Sequence, residues 1–135
     1  MTRRVAAAGT LAAVALLGAC ASPDTEPPPA PVMPAHWRVV EDVTFGEAER
    51  VRVSSRLGGR VAALRNTTYD VGGRRLKLNT IVADMPADAG QIESTFREHK
   101  SGEWFARRGR VLWEFVGDEE MLDEVRAGRA RLPRD

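Results

Sequence analysis

Apolar positions in the second half of the chain recur with two periods, and glycine pairs mark where one segment ends and the next begins. Arg50-Val51-Arg52-Val53 and Leu76-Lys77-Leu78 alternate as half-buried strands do, and Gly58-Gly59 and Gly72-Gly73 read as tight turns. A two-residue hairpin at Gly72-Gly73 sets Tyr69 opposite Leu76 and Asp70 opposite Arg75. A two-residue first turn would bring Arg52 onto the face of Leu76 and Leu78. A three-residue loop, Leu57-Gly58-Gly59, with Gly59 left-handed in a bulge, avoids that conflict. Val51, Val53, Val61, Ala63, Tyr69, Leu76, Leu78 and Val82 then share one face of a meander. Arg50, Arg52, Arg56, Arg60, Arg75 and Lys77 share the other, while Arg65 falls on the apolar face without an explanation.

Beyond the meander the period changes. Asp84 and Pro86 have the form of a helix start, and Ala89, Ile92, Phe96 and His99 recur at helical spacing up to Ser101-Gly102. A hairpin turning at Arg108-Gly109 places Trp104, Ala106, Val111, Trp113 and Phe115 on one face, with Trp104 opposite Trp113. Asp118 caps a last helix that uses Met121, Leu122 and Val125, with acids in its first turn as the macrodipole favours. Trp37 to Phe45 is a candidate edge strand. The expected fold is α+β: an antiparallel sheet, made of a three-stranded meander plus a hairpin, packed with two helices in the order βββαββα.

The N-terminal pattern is of a different kind. Arg3 and Arg4 precede an apolar run from Val5 to Leu17, interrupted only by Gly9 and Thr10. As a helix it would reach about 20 Å, short of the roughly 30 Å hydrocarbon core of a bilayer, so a secretory signal fits better than a membrane span. Leu17-Gly18-Ala19-Cys20 resembles the lipobox of bacterial lipoproteins: an aliphatic residue, two small ones, then cysteine. The resemblance covers residues 1–20 alone.

It implies removal of residues 1–19 and a diacylglyceryl group on the sulfur of Cys20, the chain's only cysteine. A thiolate is nucleophilic enough for that transfer, and Gly18 and Ala19 leave room for a peptidase. At ~0.8 kcal/mol per buried methylene, two or three acyl chains hold a protein on a membrane where one is marginal. Ala21, rather than aspartate, follows the cysteine, which by the family's sorting rule points to the outer membrane and its periplasmic face.

Six of the chain's eight prolines lie between Ala21 and Ala35. Such a stretch forms neither helix nor paired strand; as polyproline II at ~3.1 Å per residue it reaches roughly 45 Å. The expected organisation is a signal over residues 1–19, a lipidated cysteine and tether over 20–35, and one small domain over 36–135.

The whole chain has 20 basic and 19 acidic residues. Without Arg3 and Arg4 the balance is 18 against 19, near neutral, which does not fit a nucleic-acid partner. The charges are nevertheless segregated. Arg50 to Lys77 holds eight basic residues and one acid, Asp70, whereas Glu114 to Glu124 holds six acids and no base. Arg52, Arg56, Arg75 and Lys77 are therefore the candidate face for an anionic envelope polymer or protein partner. The alternative is that the face is solvated, or neutralised internally by Glu119, Glu120, Asp123 and Glu124.

Chemistry leaves few marks. GxSxG, P-loop, HExxH and paired CxxC motifs are missing, and two histidines make a poor metal site, so no cofactor is expected. Of the two histidines His99, with Glu98 and Glu103 near it in sequence, is the catalytic candidate, and its blander role is packing at the end of a helix stripe. Glu103 facing Glu114 would be an acid/base pair for a glycan, or merely opposed surface glutamates. Trp104 and Trp113 would stack on a sugar or sit in the core. The expected function is a lipid-anchored, non-catalytic binding or assembly module of the cell envelope. A small envelope hydrolase acting on a glycan or peptide, and a carrier of a lipid or other apolar ligand, are the alternatives; a carrier would need a cavity opened within a small core.

Overall fold

The computed structural model describes residues 28, 30–99 and 104–134. In chain order these form β1 (Arg38–Thr44), α1 (Glu47–Leu57), β2 (Val61–Val71), β3 (Arg74–Ala83), α2 (Pro86–His99), β4 (Trp104–Arg108), β5 (Val111–Gly117) and α3 (Glu119–Arg126). The strands make one antiparallel sheet in the order β1-β2-β3-β5-β4. The α+β class and the antiparallel sheet are as the residue pattern indicates.

The detailed order differs at one place. Arg50 to Val53 lies in helix α1 and is not the first strand of the meander; that strand is β1, and the helices number three among the described residues. Four alternating residues are too few to distinguish a strand from one turn of helix. Stronger helix signals surround them: Glu47 and Glu49 in the first turn, Arg56 in the last, and Gly58 beyond the end in the left-handed region at φ 77°. The Gly58 N–H donates to the Ser54 carbonyl at 3.0 Å, closing the helix, so Leu57-Gly58-Gly59 is a helix terminus and not a hairpin loop. Val53 faces inward from α1 and Val51 faces out.

The β2–β3 hairpin has the expected register, with Tyr69 opposite Leu76 and Asp70 opposite Arg75. Gly72 and Gly73, at φ 58° and 90°, supply the two left-handed positions that a tight hairpin turn needs. The β4–β5 hairpin turns one residue later than expected, at Gly109-Arg110. Trp104 therefore pairs with Phe115, their rings 5.3 Å apart, and Trp113 pairs with Ala106.

Both faces of the sheet are covered. On one, Tyr69, Leu76, Leu78, Trp113 and Phe115 pack against Met121, Leu122 and Val125 of α3 and against Trp37. On the other, Leu64, Ile81 and Leu112 pack against Val53 of α1 and Ala89, Ile92 and Phe96 of α2. Full burial of a Leu, Ile or Phe side chain contributes about 1.5–3 kcal/mol, so these two clusters carry the stability of the domain. Asp118 caps α3 as expected, its Oδ2 accepting from the Met121 N–H at 3.1 Å.

The folded unit begins ahead of His36. Val32 and Arg131 exchange backbone hydrogen bonds of 2.8 Å, Met33 and Leu132 pack against the α3 side of the core, and Pro28 and Pro31 are buried. The described residues of the proline-rich stretch thus lie on the domain.

Candidate functional site

The four cations of the candidate face occupy two elements. Arg75 and Lys77 point to the same side of β3, the side on which α1 and α2 pack, whereas Arg52 and Arg56 lie one turn apart on α1. The single cationic plane expected of a meander does not form, because Arg50, Arg52 and Arg56 are helical.

Two of the four are neutralised within the domain. Arg52 pairs with Glu49 three residues before it. Arg75 Nε lies 3.2 Å from Asp70 Oδ2, and Arg38 Nη2 lies 3.6 Å from Asp70 Oδ1. The Gly73 backbone N–H, with Arg75 and Arg38 beside it, holds the Asp70 carboxyl below its usual pKa. Arg56 and Lys77 are exposed and make no ion pair among the described residues.

The acids of α3 answer other bases. Glu120 and Asp118 pair with Arg74, Glu119 and Asp123 with Arg126, and Glu124 lies 3.5 Å from His36 Nε2 and accepts from Trp37 Nε1 at 3.3 Å. Internal neutralisation is therefore partial, and it leaves Arg56 and Lys77 aside.

Between α1 and the sheet is a cleft of about 210 Å³ with Arg56 and Glu49 among its lining residues, an apolar wall that includes Val53 and Phe96, and a polar floor. The floor is a row of three side chains on adjacent strands. Asn66 Nδ2 donates to Asn79 Oδ1 at 2.6 Å, and Asn79 Nδ2 donates to Glu114 Oε1 at 2.9 Å. An ionised carboxylate only accepts, so Glu114 fixes which way Asn79 points, and Asn79 in turn fixes Asn66. Arg56 stands at the rim of the cleft. Lys77 is two residues from Asn79 on the same face of β3, opposite Thr68, whose buried Oγ1 has no hydrogen-bond partner among the described residues. Arg56 and Lys77 are thus two cations without an ion-pair partner among the described residues, beside a floor that carries the Glu114 carboxylate.

Residue pattern alone passes over Asn66 and Asn79, although a signal for them exists. The two-glycine turn that pairs Tyr69 with Leu76 necessarily pairs Asn66 with Asn79. Glu114 is opposite Phe105 on one side and Asn79 on the other. Its expected partner Glu103 lies outside the described residues, as do Leu17, Gly18, Ala19 and Cys20.

Among the described residues the enzymatic candidates do not assemble. His99 is exposed at the last position of α2, and Trp113, 1% exposed, is core. Among the described residues no group of three His, Cys, Asp or Glu side chains is placed to hold a metal ion, and no helix is long and apolar enough to cross a membrane. Scans against protein-family models, curated proteins and solved structures return no match, so the reading of this site stands on its residues and geometry.

Proposed function

We propose that the chain is a lipid-anchored protein of the bacterial cell envelope whose folded domain is a non-catalytic binding or assembly module, held on the periplasmic face of the outer membrane through Cys20. The observation that carries this reading is the order of features along one chain: a charged and apolar leader, Leu17-Gly18-Ala19-Cys20, a proline-rich stretch, and a domain with a filled core on both sides of its sheet. A filled core argues against a carrier of apolar ligands, which needs a cavity large enough to take up its cargo. The exposed, unassembled position of His99 argues against a hydrolase.

Arg56 and Lys77, beside the Asn66-Asn79-Glu114 row, are the contacts proposed for an anionic envelope polymer or an acidic protein partner. Arg52 and Arg75 support the same field less, being paired with Glu49 and Asp70. The test is cosedimentation of the purified mature chain with isolated sacculi, and capture of envelope proteins by crosslinking, at low and high salt. Binding that weakens steeply with salt and is lost in Arg56→Glu/Lys77→Glu supports the reading, because the Debye length contracts from ~10 Å at 0.1 M to ~3 Å at 1 M. Equal capture by the wild type and the double variant would show that these two cations make no functional contact.

A further inference from the structure

A second concavity lies at the end of the sheet opposite the Gly72-Gly73 turn. It is a groove of about 820 Å³ bounded by α1, the start of β2, the end of β3 and the β4–β5 turn. Three arginines line it. Arg50 donates to the Phe45 carbonyl at 3.4 Å, Arg110 donates to the carbonyls of Ala83 and Asp84 at 3.3 and 3.1 Å, and Arg60 Nε lies 3.7 Å from Asp84 Oδ2. Bonds to carbonyls orient the Arg50 and Arg110 guanidinium groups without cancelling their charge, and each occupies a single nitrogen. The acids lining the groove are Glu47 and Asp84, so arginine is in excess. Apolar side chains stand out at the same place: Val51 in the groove is 60% exposed, and Met85, directly after Asp84, is 54% exposed.

Pro28 also lines this groove, and its carbonyl accepts from Arg65 Nη1 at 3.2 Å. The chain therefore leads toward Cys20 from the groove end of the domain. Eight residue steps separate Pro28 from Cys20, a span of at most about 29 Å. The eleven residues of β2 put the Gly72-Gly73 end about 35 Å away from the groove end. An anchor of that length lets the groove end meet the bilayer, and even fully extended it is shorter than the distance it would have to span for the far end to face the membrane.

We propose that the groove is the membrane-facing surface of the anchored domain, with Arg50, Arg60 and Arg110 taking the phosphates of anionic phospholipid headgroups and Val51 and Met85 entering the headgroup layer. The inference rests on the reading of Cys20 as the acylated residue. Each arginine close to an anionic surface multiplies partitioning about fivefold, and the tether supplies the local concentration that lets so small a patch suffice. Amphipathic contacts of this type order a domain on a membrane without inserting it.

The test uses the acylated mature protein in lipid nanodiscs. Once Cys20 is acylated, an introduced cysteine is the only free thiol, so Met85→Cys and Glu120→Cys take a fluorescent label singly; Glu120, on α3 beside Arg74, marks the far end. In discs of equal parts phosphatidylcholine and phosphatidylglycerol that contain a headgroup-layer quencher, the label at position 85 should be quenched several-fold more than that at 120. The anchor alone leaves a smaller difference, so the difference should fall several-fold in discs of phosphatidylcholine alone, and in Arg50→Gln/Arg60→Gln. Equal quenching at the two positions in the mixed discs overturns the inference, as does a difference of undiminished size in phosphatidylcholine alone or in the double variant. Intact mass is measured first. Protein without acyl groups on Cys20 sinks the anchor reading and this inference together, whereas acylated protein with evenly quenched labels sinks this inference alone.

Discussion

Arg65 and Asp42 form a two-bonded ion pair across the β1–β2 edge, Nε to Oδ1 at 2.8 Å and Nη2 to Oδ2 at 2.6 Å. Thr67 Oγ1 donates to the same carboxylate at 3.2 Å, and the remaining guanidinium nitrogen holds the Pro28 carbonyl. A cation on the apolar face of the sheet is thereby matched, and the proline-rich stretch is pinned to the domain by the same side chain.

Hydrogen bonding from Arg65, opposed by partial burial, holds the Asp42 carboxyl below its usual pKa. A folded-state pKa below the unfolded one gives stabilisation that is complete above roughly pH 4 and is lost as pH falls through the lowered value. Arg65→Gln should therefore lower stability by about 1 kcal/mol at neutral pH, a modest figure because the pair is partly exposed. The gap between wild type and variant should close in acid. Chemical denaturation at neutral pH and near pH 3 reads it, and a gap of constant size would show that the pair contributes no pH-linked stability.

Gly59 lies where α1 hands over to β2 and passes close to the start of α2. A Cβ there would stand 2.5 Å from the Asp88 carbonyl oxygen and 3.0 Å from the Ile92 side chain. Backbone on both sides cannot yield cheaply, so Gly59→Ala should lower stability by about 1–3 kcal/mol, as overpacking typically does. Gly109→Ala, a substitution with open space around it but at φ 59°, separates backbone strain from steric clash. A Gly59→Ala melt equal to that of the wild type would contradict the close contact of Gly59 with the start of α2.

Trp37 is buried against Tyr69, their rings 5.7 Å apart, and Met33 packs against the same cluster. A chain beginning at Pro28 should melt cooperatively and at a clearly higher temperature than one beginning at Arg38. Loss of a buried tryptophan alone costs about 3–5 kcal/mol. Identical melting of the two chains would mean that the segment ahead of β1 is not part of the cooperative unit.

The elements that residue pattern reveals are those whose register is pinned locally. The Gly72-Gly73 turn allows one pairing of β2 with β3, and Asp118 followed by Met121, Leu122 and Val125 allows one placement of α3. At the β4–β5 hairpin a one-residue shift of the turn keeps every side chain on its face but moves each partner by two positions, which is why Trp104 meets Phe115. Helix α1 is hidden because Arg50 to Val53 satisfies both periods; the acids of its first turn, Gly58 beyond its end and the inward packing of Val53 and Leu57 decide between them. Arg65 was legible as a cation on the wrong face, while its explanation needed the β1 register that brings Asp42 within reach. The Asn66-Asn79-Glu114 row spans three strands, and its last link depends on the pairing of β3 with β5, which no local turn dictates.

The proposed acylation of Cys20 is read by metabolic labelling with a radioactive fatty acid, followed by envelope fractionation. The wild-type chain should carry the label and sediment with the membranes, while Cys20→Ser should carry none and either accumulate as uncleaved precursor or leave the membrane fraction. Label that persists in Cys20→Ser, or a wild-type chain that is processed, unlabelled and soluble, would contradict the account.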